Sequence, residues 1–207
     1  MAPYLEYQIR KLGVKVVLGE EVTPLLVDEI KPNVLFIATG SVPTIPEILG
    51  VQRDQVVTAH DLLAGRASVK ERVVVIGGGM VGAETAEFLA EEGKRVTILE
   101  MLRRIGMDMV PMAIQMLYQR LKKLGVAMIT NARVQEITEH GVVYEKDGEK
   151  RTVETDSVVL AAGSKPNITL IKALEGKVAK IYAIGDAKET GNVLEAIHEA
   201  SKMAREI

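Results

Sequence analysis

Cysteine is absent from the 207 residues, and its absence excludes several kinds of site at once. Without a thiol, the chain can form no disulfide, iron–sulfur ligation, thiolate zinc site or redox-active dithiol of its own. Histidine occurs three times, as His60, His140 and His198, and no two of these have the spacing of metal ligands. We therefore predict no metal site and expect structural or solvated histidines.

Aromatic side chains are few, and neither sign of charge is in large excess. The chain has no tryptophan, two phenylalanines and a net charge of -2, so neither base stacking nor a basic stripe favours nucleic acid as a partner. No apolar run approaches the roughly 20 residues of a membrane helix. The start, MAPYLEYQIRKLG, is amphipathic and lacks the apolar core of a signal peptide. We expect a cytoplasmic protein without a membrane partner.

Strand and helix patterns alternate along most of the chain, which predicts an α/β fold with a largely parallel sheet. VKVVLG at 14–19 has the pattern of a strand, and helices are predicted at 81–93 and 109–124. From about residue 132 the pattern changes to short strands with turns at His140-Gly141 and Asp147-Gly148. This change predicts an antiparallel meander that leads into an apolar strand at 157–162.

Two segments share one pattern of an apolar strand followed by glycine, serine and proline. They are NVLFIATGSVP at 33–43 and SVVLAAGSKP at 157–166. Two nucleotide-binding lobes of related construction would explain the match. Two ordinary strand ends would also explain it, because glycine and proline often follow strands.

The glycines at 77, 79 and 82 have the spacing of a dinucleotide-binding fingerprint, between a predicted strand and a predicted helix. Gly77 allows the tight turn, Gly79 allows the backbone to approach a pyrophosphate, and Gly82 allows close packing of helix on strand. The helix N-terminus then offers N–H groups and partial positive charge to the phosphates. The predicted NAD(H) contacts are Gly77, Gly78, Gly79, Met80, Val81, Gly82, Glu100 and Gly163.

Glu100 ends the next predicted strand, where the fingerprint has the acid that binds the adenosine ribose. A carboxylate at this position repels a 2′-phosphate, so it favours NAD(H) over NADP(H). Arg103 and Arg104 follow closely and could reach a 2′-phosphate, the adenine edge or only solvent. No group of side chains has the pattern of a catalytic acid or base, so we predict no catalytic residue.

Several motifs in order resemble those of flavoprotein reductases that bind two dinucleotides. They are ATG at 38–40, the fingerprint with Glu100, the strand end at Gly163 and IYAIGDA at 181–187. The tail GDAKETGNVLEAIHEASKMAREI is similar to the C-terminal half of the NADH:flavin oxidoreductases related to 2,4-dienoyl-CoA reductase, enoate reductase and trimethylamine dehydrogenase. The resemblance covers nearly the whole chain.

This resemblance implies a Rossmann-like, three-layer NAD(H)-binding domain at 68–166, inserted into an incomplete FAD-binding domain at 1–67 and 167–207. It implies hydride transfer from NADH to FAD. It also implies that a helix starting near Asn192 directs its N-terminus at the flavin ring. The implied FAD contacts are Val22, Ala38, Thr39, Gly40, Gly185 and Asp186. Asp186 could alternatively cap a turn, as aspartate after glycine often does.

The chain departs from the family pattern because the glycine fingerprint for FAD is not among its residues. The family's N-terminal half, with its FMN and iron–sulfur cluster, is not there either. We expect a piece of a longer polypeptide or a truncated gene product, with that half as its missing partner. Such a chain is expected to bind NADH, to hold FAD weakly or not at all, and to recover burial by forming a homodimer across an exposed face.

Three functions are compatible with these observations to different degrees. The first is the NADH-oxidising module of a flavin reductase. The second is a non-catalytic NAD-binding or electron-transfer module that a partner chain completes. Gly40, Gly185 and Asp186 favour the first, because a simple NAD-binding module does not need them. The third, a free-standing dehydrogenase, lacks a catalytic constellation of histidine, lysine or tyrosine.

Overall fold

A computed structural model describes residues 2–207, which divide into two compact units. The first unit comprises residues 2–39 and 167–207, and the second unit comprises Gly40–Pro166.

Helices and strands follow one another along the whole of the described chain. In chain order they are α1 (Ala2–Lys11), α2 (Pro24–Ile30), β1 (Leu35–Ile37), β2 (Ser41–Pro43), β3 (Val56–Thr58), α3 (Ala59–Leu63), β4 (Arg72–Ile76), α4 (Met80–Glu91), β5 (Arg95–Leu99), α5 (Pro111–Lys123), β6 (Ala127–Ile129), β7 (Arg133–Ile137), β8 (Gly141–Lys146), β9 (Glu149–Glu154), β10 (Ser157–Leu160), β11 (Ser164–Pro166), α6 (Thr169–Ala173), β12 (Ile181–Ala183) and α7 (Val193–Ala204). A short 3₁₀ helix, Gly185–Ala187, lies between β12 and α7.

The second unit contains a five-stranded sheet in the order β3-β10-β4-β5-β6, and every pairing in it is parallel. Successive side chains of a strand point to opposite faces, and β4 follows this rule. Val73 and Val75 pack into a core that includes residues of α3, α4 and α5, whereas Val74 and Ile76 pack into a core with β7 and β8. The sheet is therefore covered on both faces, which explains its continuous apolar strands.

Helix α4 lies close against the sheet because its buried face is made of small residues. Gly82, Ala83 and Ala86 are buried, with Leu89 one turn further along the same face. The sequence predicted this helix at 81–93, and the structure has it at Met80–Glu91. The short side chains bring the N-terminus of α4 next to the end of β4.

The antiparallel meander of β7, β8 and β9 forms the third layer. Its turn at Asp147-Gly148 has positive φ at both residues, +55° and +78°, as a two-residue hairpin turn requires. Val142 and Tyr144 on β8 are buried against the parallel sheet. The predicted mixed α/β fold with a parallel sheet and an antiparallel meander is confirmed.

The two segments of similar sequence contribute strands that pair with each other. Within the second unit, β2 runs antiparallel to β11, with Ser41 opposite Pro166 and Pro43 opposite Ser164. The amide of Thr44 also donates to the carbonyl of Gly163, at 2.9 Å. The shared glycine–serine–proline pattern therefore marks the two strands of one small ribbon.

The first unit contains a two-stranded parallel sheet of β1 and β12, with Ile37 opposite Ala183. Its buried residues are Val27, Ile37 and Leu174. The strand predicted at 14–19 is wrong, because residues 14–23 form neither helix nor strand. Val16 and Val17 are each 55% exposed. A strand needs a paired neighbour, and none of the described strands pairs with this segment.

The compact units divide after Thr39 and after Pro166. The family resemblance predicted the first domain boundary between residues 67 and 68. Residues 40–67 belong to the second unit in the structure, in part because β3 pairs with β10. Which cofactor each unit holds stays a prediction, as does the homodimer.

No helix within residues 2–207 is both long enough and apolar enough to span a bilayer.

Candidate dinucleotide-binding site

The glycine loop joins β4 to α4, and each glycine of the fingerprint meets a different constraint. Gly77 has φ +102°, and a Cβ built on it would lie 2.3 Å from the carbonyl oxygen of Ala161. A Cβ on Gly82 would lie 2.0 Å from the carbonyl oxygen of Gly77. A Cβ on Gly79 would lie 3.0 Å from a carboxylate oxygen of Asp108. A side chain at Gly77 or Gly82 would therefore collide with backbone, whereas one at Gly79 would press closely on the carboxylate of Asp108.

Glu100 is bound to this loop through its carboxylate. Oε2 accepts the N–H of Gly78 at 2.5 Å, and Oε1 accepts the N–H of Leu102 at 2.7 Å. Glu100 is 6% exposed, so its charge is largely withdrawn from water and is compensated by backbone donors. Glu100, the acid predicted from the fingerprint, thus lies beside Gly78 in the glycine loop.

A cavity of about 650 Å³ opens at the carboxyl ends of β4, β5 and β10. Ligands of open α/β sheets bind outside this edge, and the volume lies within the usual range for small-molecule sites. The residues lining it are Pro46, Ile48, Ile76, Gly77, Gly78, Gly79, Leu99, Glu100, Met101, Leu102, Arg104, Met107, Asp108, Ala132, Arg133, Val134, Ala161, Ala162 and Gly163. Of the predicted NAD(H) contacts, those that line this cavity are Gly77, Gly78, Gly79, Glu100 and Gly163, whereas Met80, Val81 and Gly82 do not line it.

Asp108 makes a contact in this cavity that the sequence did not predict. Both of its carboxylate oxygens lie 2.9 Å from the backbone nitrogen of Met80, the first residue of α4. Gly79, the residue that precedes the helix, has no side chain with which to cap it. Asp108 supplies that cap from a loop 28 residues away, and no spacing rule predicts such a contact.

The loop at 101–110 is fixed at two further points. Ile105 is 1% exposed, and its N–H donates to the hydroxyl of Tyr118 at 3.0 Å. The N–H of Gly106 donates to the carbonyl of Gly78 at 2.7 Å. This loop therefore lies against the glycine loop and forms one wall of the cavity.

The charged groups around the cavity carry both signs. Arg104 lines it together with Arg133, which the sequence analysis did not consider, while Glu100 and Asp108 supply two carboxylates. Arg103 is exposed on the same loop as Arg104. The cavity can therefore take a ligand that combines anionic groups with hydrogen-bond donors such as hydroxyls.

The predicted FAD residues of the first unit cluster at one sheet edge, apart from Val22. Ala38 and Thr39 follow β1, and Gly185 and Asp186 follow β12, which is the parallel neighbour of β1. Val22 is 46% exposed in the segment 14–23 that has no regular structure. In the second unit, Gly40 has φ +71°, and a Cβ on it would meet nothing within 4 Å.

Glu199 on α7 holds the turn that carries Gly185. Its Oε2 accepts the N–H of Gly185 at 2.8 Å, and its other oxygen accepts a hydrogen bond from the ammonium group of Lys188. The hydrogen bond from Lys188, followed by that from Gly185, lowers the pKa of Glu199. The same contact with Glu199 raises the pKa of Lys188. The turn after β12 is thus fixed to α7 by a charged pair.

Asp186 and the start of α7 have hydrogen-bond partners inside the first unit. Asp186 accepts the N–H of Gly191 at 3.2 Å, which fits the turn-capping alternative and leaves the flavin contact untested. The side chain of Asn192 accepts the N–H groups of Leu194 and Glu195 at 3.0 and 3.1 Å, so α7 begins with its own cap. Among residues 2–207, no group of three or more acidic or histidine side chains is arranged to hold a metal ion.

Comparison with known proteins gives a consistent family match. Residues 7–204 match the family described as pyridine nucleotide-disulphide oxidoreductase. The chain is 38% identical over 210 residues to an NADH oxidase of Thermoanaerobacter brockii, covering 99% of this chain and 32% of that protein. It is 34% identical over 230 residues to a metal reductase of Desulforamulus reducens, covering 95% of this chain and 34% of that protein.

A solved structure also matches nearly the whole chain. A 2-naphthoyl-CoA reductase in complex with 2-naphthoyl-CoA has a TM-score of 0.93 and 36% identity, covering 99% of this chain and 31% of that one. The chain thus spans about a third of the length of each of these three relatives.

Proposed function

Because the chain belongs to the pyridine nucleotide-disulphide oxidoreductase family, we propose that its second unit binds NADH and presents it for oxidation by FAD. We also propose that the chain is part of a flavin-dependent NADH oxidoreductase related to enoate and 2,4-dienoyl-CoA reductases. One observation carries it. The glycine loop and the buried acid after the next strand open together onto one cavity at the carboxyl edge of a parallel sheet.

The residues around the cavity suit the parts of a dinucleotide. The N-terminus of α4 offers partial positive charge to the pyrophosphate, and Gly79 leaves room for its approach. Glu100 would accept hydrogen bonds from the adenosine ribose hydroxyls, because a carboxylate has more lone pairs than its two backbone donors occupy. The same carboxylate would repel the 2′-phosphate of NADPH.

When bound, NADH supplies a hydride and FAD accepts it. This chemistry needs positioning more than an acid or a base from the chain. The residues of the first unit that would hold FAD are Ala38, Thr39, Gly185 and Asp186 at the edge of its sheet, with Val22. The sequence has no cysteine, so these 207 residues supply no redox-active disulphide to receive the electrons.

The names of the relatives differ in what is reduced, and one of them names NADH. They are named as an NADH oxidase, a metal reductase and a 2-naphthoyl-CoA reductase, and the chain matches about a third of each. We therefore propose that the matched third takes electrons from NADH and that the remaining length of such proteins determines where the electrons go. We propose that this remaining length includes the N-terminal half with FMN and an iron–sulfur cluster that the family resemblance implies.

The test begins with the absorption spectrum of the pure chain, followed by titration with NADH and NADPH in a calorimeter. Since the sequence holds one glycine fingerprint, we expect little flavin and tighter binding of NADH than of NADPH. Glu100→Ala should narrow that preference, whereas the same change at the exposed Glu92 should leave it unchanged. Tighter binding of NADPH by the wild type would contradict the role of Glu100.

The proposal and a module that binds NAD without a flavin both give a weak flavin band, so reduction of added FAD by NADH is the measurement that separates them. A band near stoichiometric occupancy would contradict weak FAD binding and support the flavin site in this chain. If added FAD is not reduced by NADH in the presence of the protein, the non-catalytic alternative is favoured.

A further inference from the structure

The N-terminus of α4 is in contact with a carboxylate of the chain itself. Both oxygens of Asp108 lie 2.9 Å from the nitrogen of Met80, at the helix end where the pyrophosphate of a dinucleotide is expected. Asp108 also lines the cavity. It lies over Gly79, where an added Cβ would come within 3.0 Å of its Oδ2.

Asp108 and a pyrophosphate are both anions that bind the free N–H groups at the start of α4. The first N–H groups of a helix lack partners within the helix and attract anions. Gly79 provides no side chain to satisfy them, and Asp108 accepts one of them, the N–H of Met80, from outside the helix. A pyrophosphate that approaches the Met80 amide meets a like charge already bound there, so the two anions exclude each other.

The side chain of Asp108 can leave without moving the loop that carries it. Asp108 is exposed, so its carboxylate can turn into water and remain solvated. Ile105 is buried, and Gly106 donates its N–H to Gly78 at 2.7 Å, so the loop stays attached on the N-terminal side of Asp108. Rotation of one side chain would therefore expose the Met80 amide.

We propose that Asp108 is an affinity-determining residue that competes with the dinucleotide's pyrophosphate for the N-terminus of α4 and is displaced when the dinucleotide binds. Asp108 caps the helix while the site is empty. Because its carboxylate has to leave before the pyrophosphate binds, dinucleotide binding is weakened by the free energy of that cap. This inference rests on the proposed binding of NADH, which brings a pyrophosphate to the same amide, that of Met80.

The test is calorimetric titration of the full chain with NADH, comparing the wild type, Asp108→Asn and Asp147→Asn. Asparagine at 108 keeps the shape and removes the charge. Asp147 lies in the β8–β9 turn at φ +55°, which asparagine tolerates, so this control changes the net charge equally without touching the cavity. We expect Asp108→Asn to bind NADH about two- to fivefold more tightly than the wild type, the range that one charge at a helix end gives. Asp147→Asn should match the wild type.

Asp108→Ala is the second variant, and circular dichroism verifies that each protein is folded. Two results support competition between Asp108 and the pyrophosphate. Either both Asp108 variants bind NADH more tightly than the wild type, or they bind NADH and the wild type does not. Equal or weaker binding by both, with the wild type binding NADH, overturns it, and Asp108 is then a helix cap only. If none of the proteins binds NADH, this inference and the proposed function both fail.

Discussion

Replacing Glu100 with glutamine tests whether the buried carboxylate holds the glycine loop in place. In the wild type, one oxygen accepts the N–H of Gly78 at 2.5 Å and the other accepts the N–H of Leu102 at 2.7 Å. Glutamine has nearly the same shape but only one acceptor oxygen. Its amide nitrogen would face one of the two N–H donors, so one of these donors loses its acceptor.

The size of the effect follows from burial. A buried donor without a partner costs about 1–3 kcal/mol, which corresponds to about 5- to 160-fold in a local opening equilibrium. Glu100 is 6% exposed but also lines the cavity, so water can reach part of this site. We therefore expect a value in the lower half of that range.

Hydrogen exchange at the amides of residues 78 and 102 measures this opening directly. At least one of the two amides should exchange several times faster in Glu100→Gln than in the wild type. The matched control is Glu92→Gln, an exposed position that follows α4, and it should exchange like the wild type. Unchanged protection of both amides in Glu100→Gln would refute the idea that the carboxylate fixes the loop.

Two further changes test the packing of α4 and the pH dependence of stability. Gly82→Ala places a Cβ 2.0 Å from the carbonyl of Gly77, so it should lower stability by about 1–3 kcal/mol in urea unfolding and weaken NADH binding. Gly125→Ala, with φ +74° and nothing within 4 Å of its Cβ, should show the backbone strain alone and leave NADH binding unchanged. The Arg72 guanidinium lowers the pKa of Asp156 from 3.8 to about 2, so the ionised carboxylate stabilises the fold above pH 3.8 and this contribution is lost as the pH falls towards about 2. The melting temperature of the wild type should therefore exceed that of Asp156→Asn at neutral pH, and the gap should close across that acid range; a gap independent of pH would contradict the ion pair.

The parts of the site that follow local rules could be predicted from the sequence. The glycine spacing, the apolar strand before it and the small residues after it predicted α4 within two residues of its observed ends. Glu100 could be found because it comes at the end of the strand that follows the loop and its helix, where the fingerprint has its acid. The Asp147-Gly148 turn could be found because few residue pairs favour positive φ at both positions.

Features that depend on contacts distant in sequence could not be predicted in this way. The segment 14–19 has the composition of a strand but pairs with none of the described strands, so composition alone predicted it wrongly. The similarity of 33–43 to 157–166 was visible, but not that β2 and β11 pair with each other. Asp108 was missed because its position opposite Met80 depends on the course of the loop after β5.

Two carboxylates contact neighbouring amides of the glycine loop, and their difference in burial distinguishes what they can do. Glu100 binds Gly78 from a buried position and has a second donor in Leu102, so moving it would leave the buried amide of Gly78 without a partner. Asp108 binds Met80 from an exposed position, where water can replace the contact it gives up. The first acid is therefore suited to remain as a fixed acceptor for ribose hydroxyls. The second is suited to be exchanged for another anion, so one loop combines a rigid specificity element with a replaceable one.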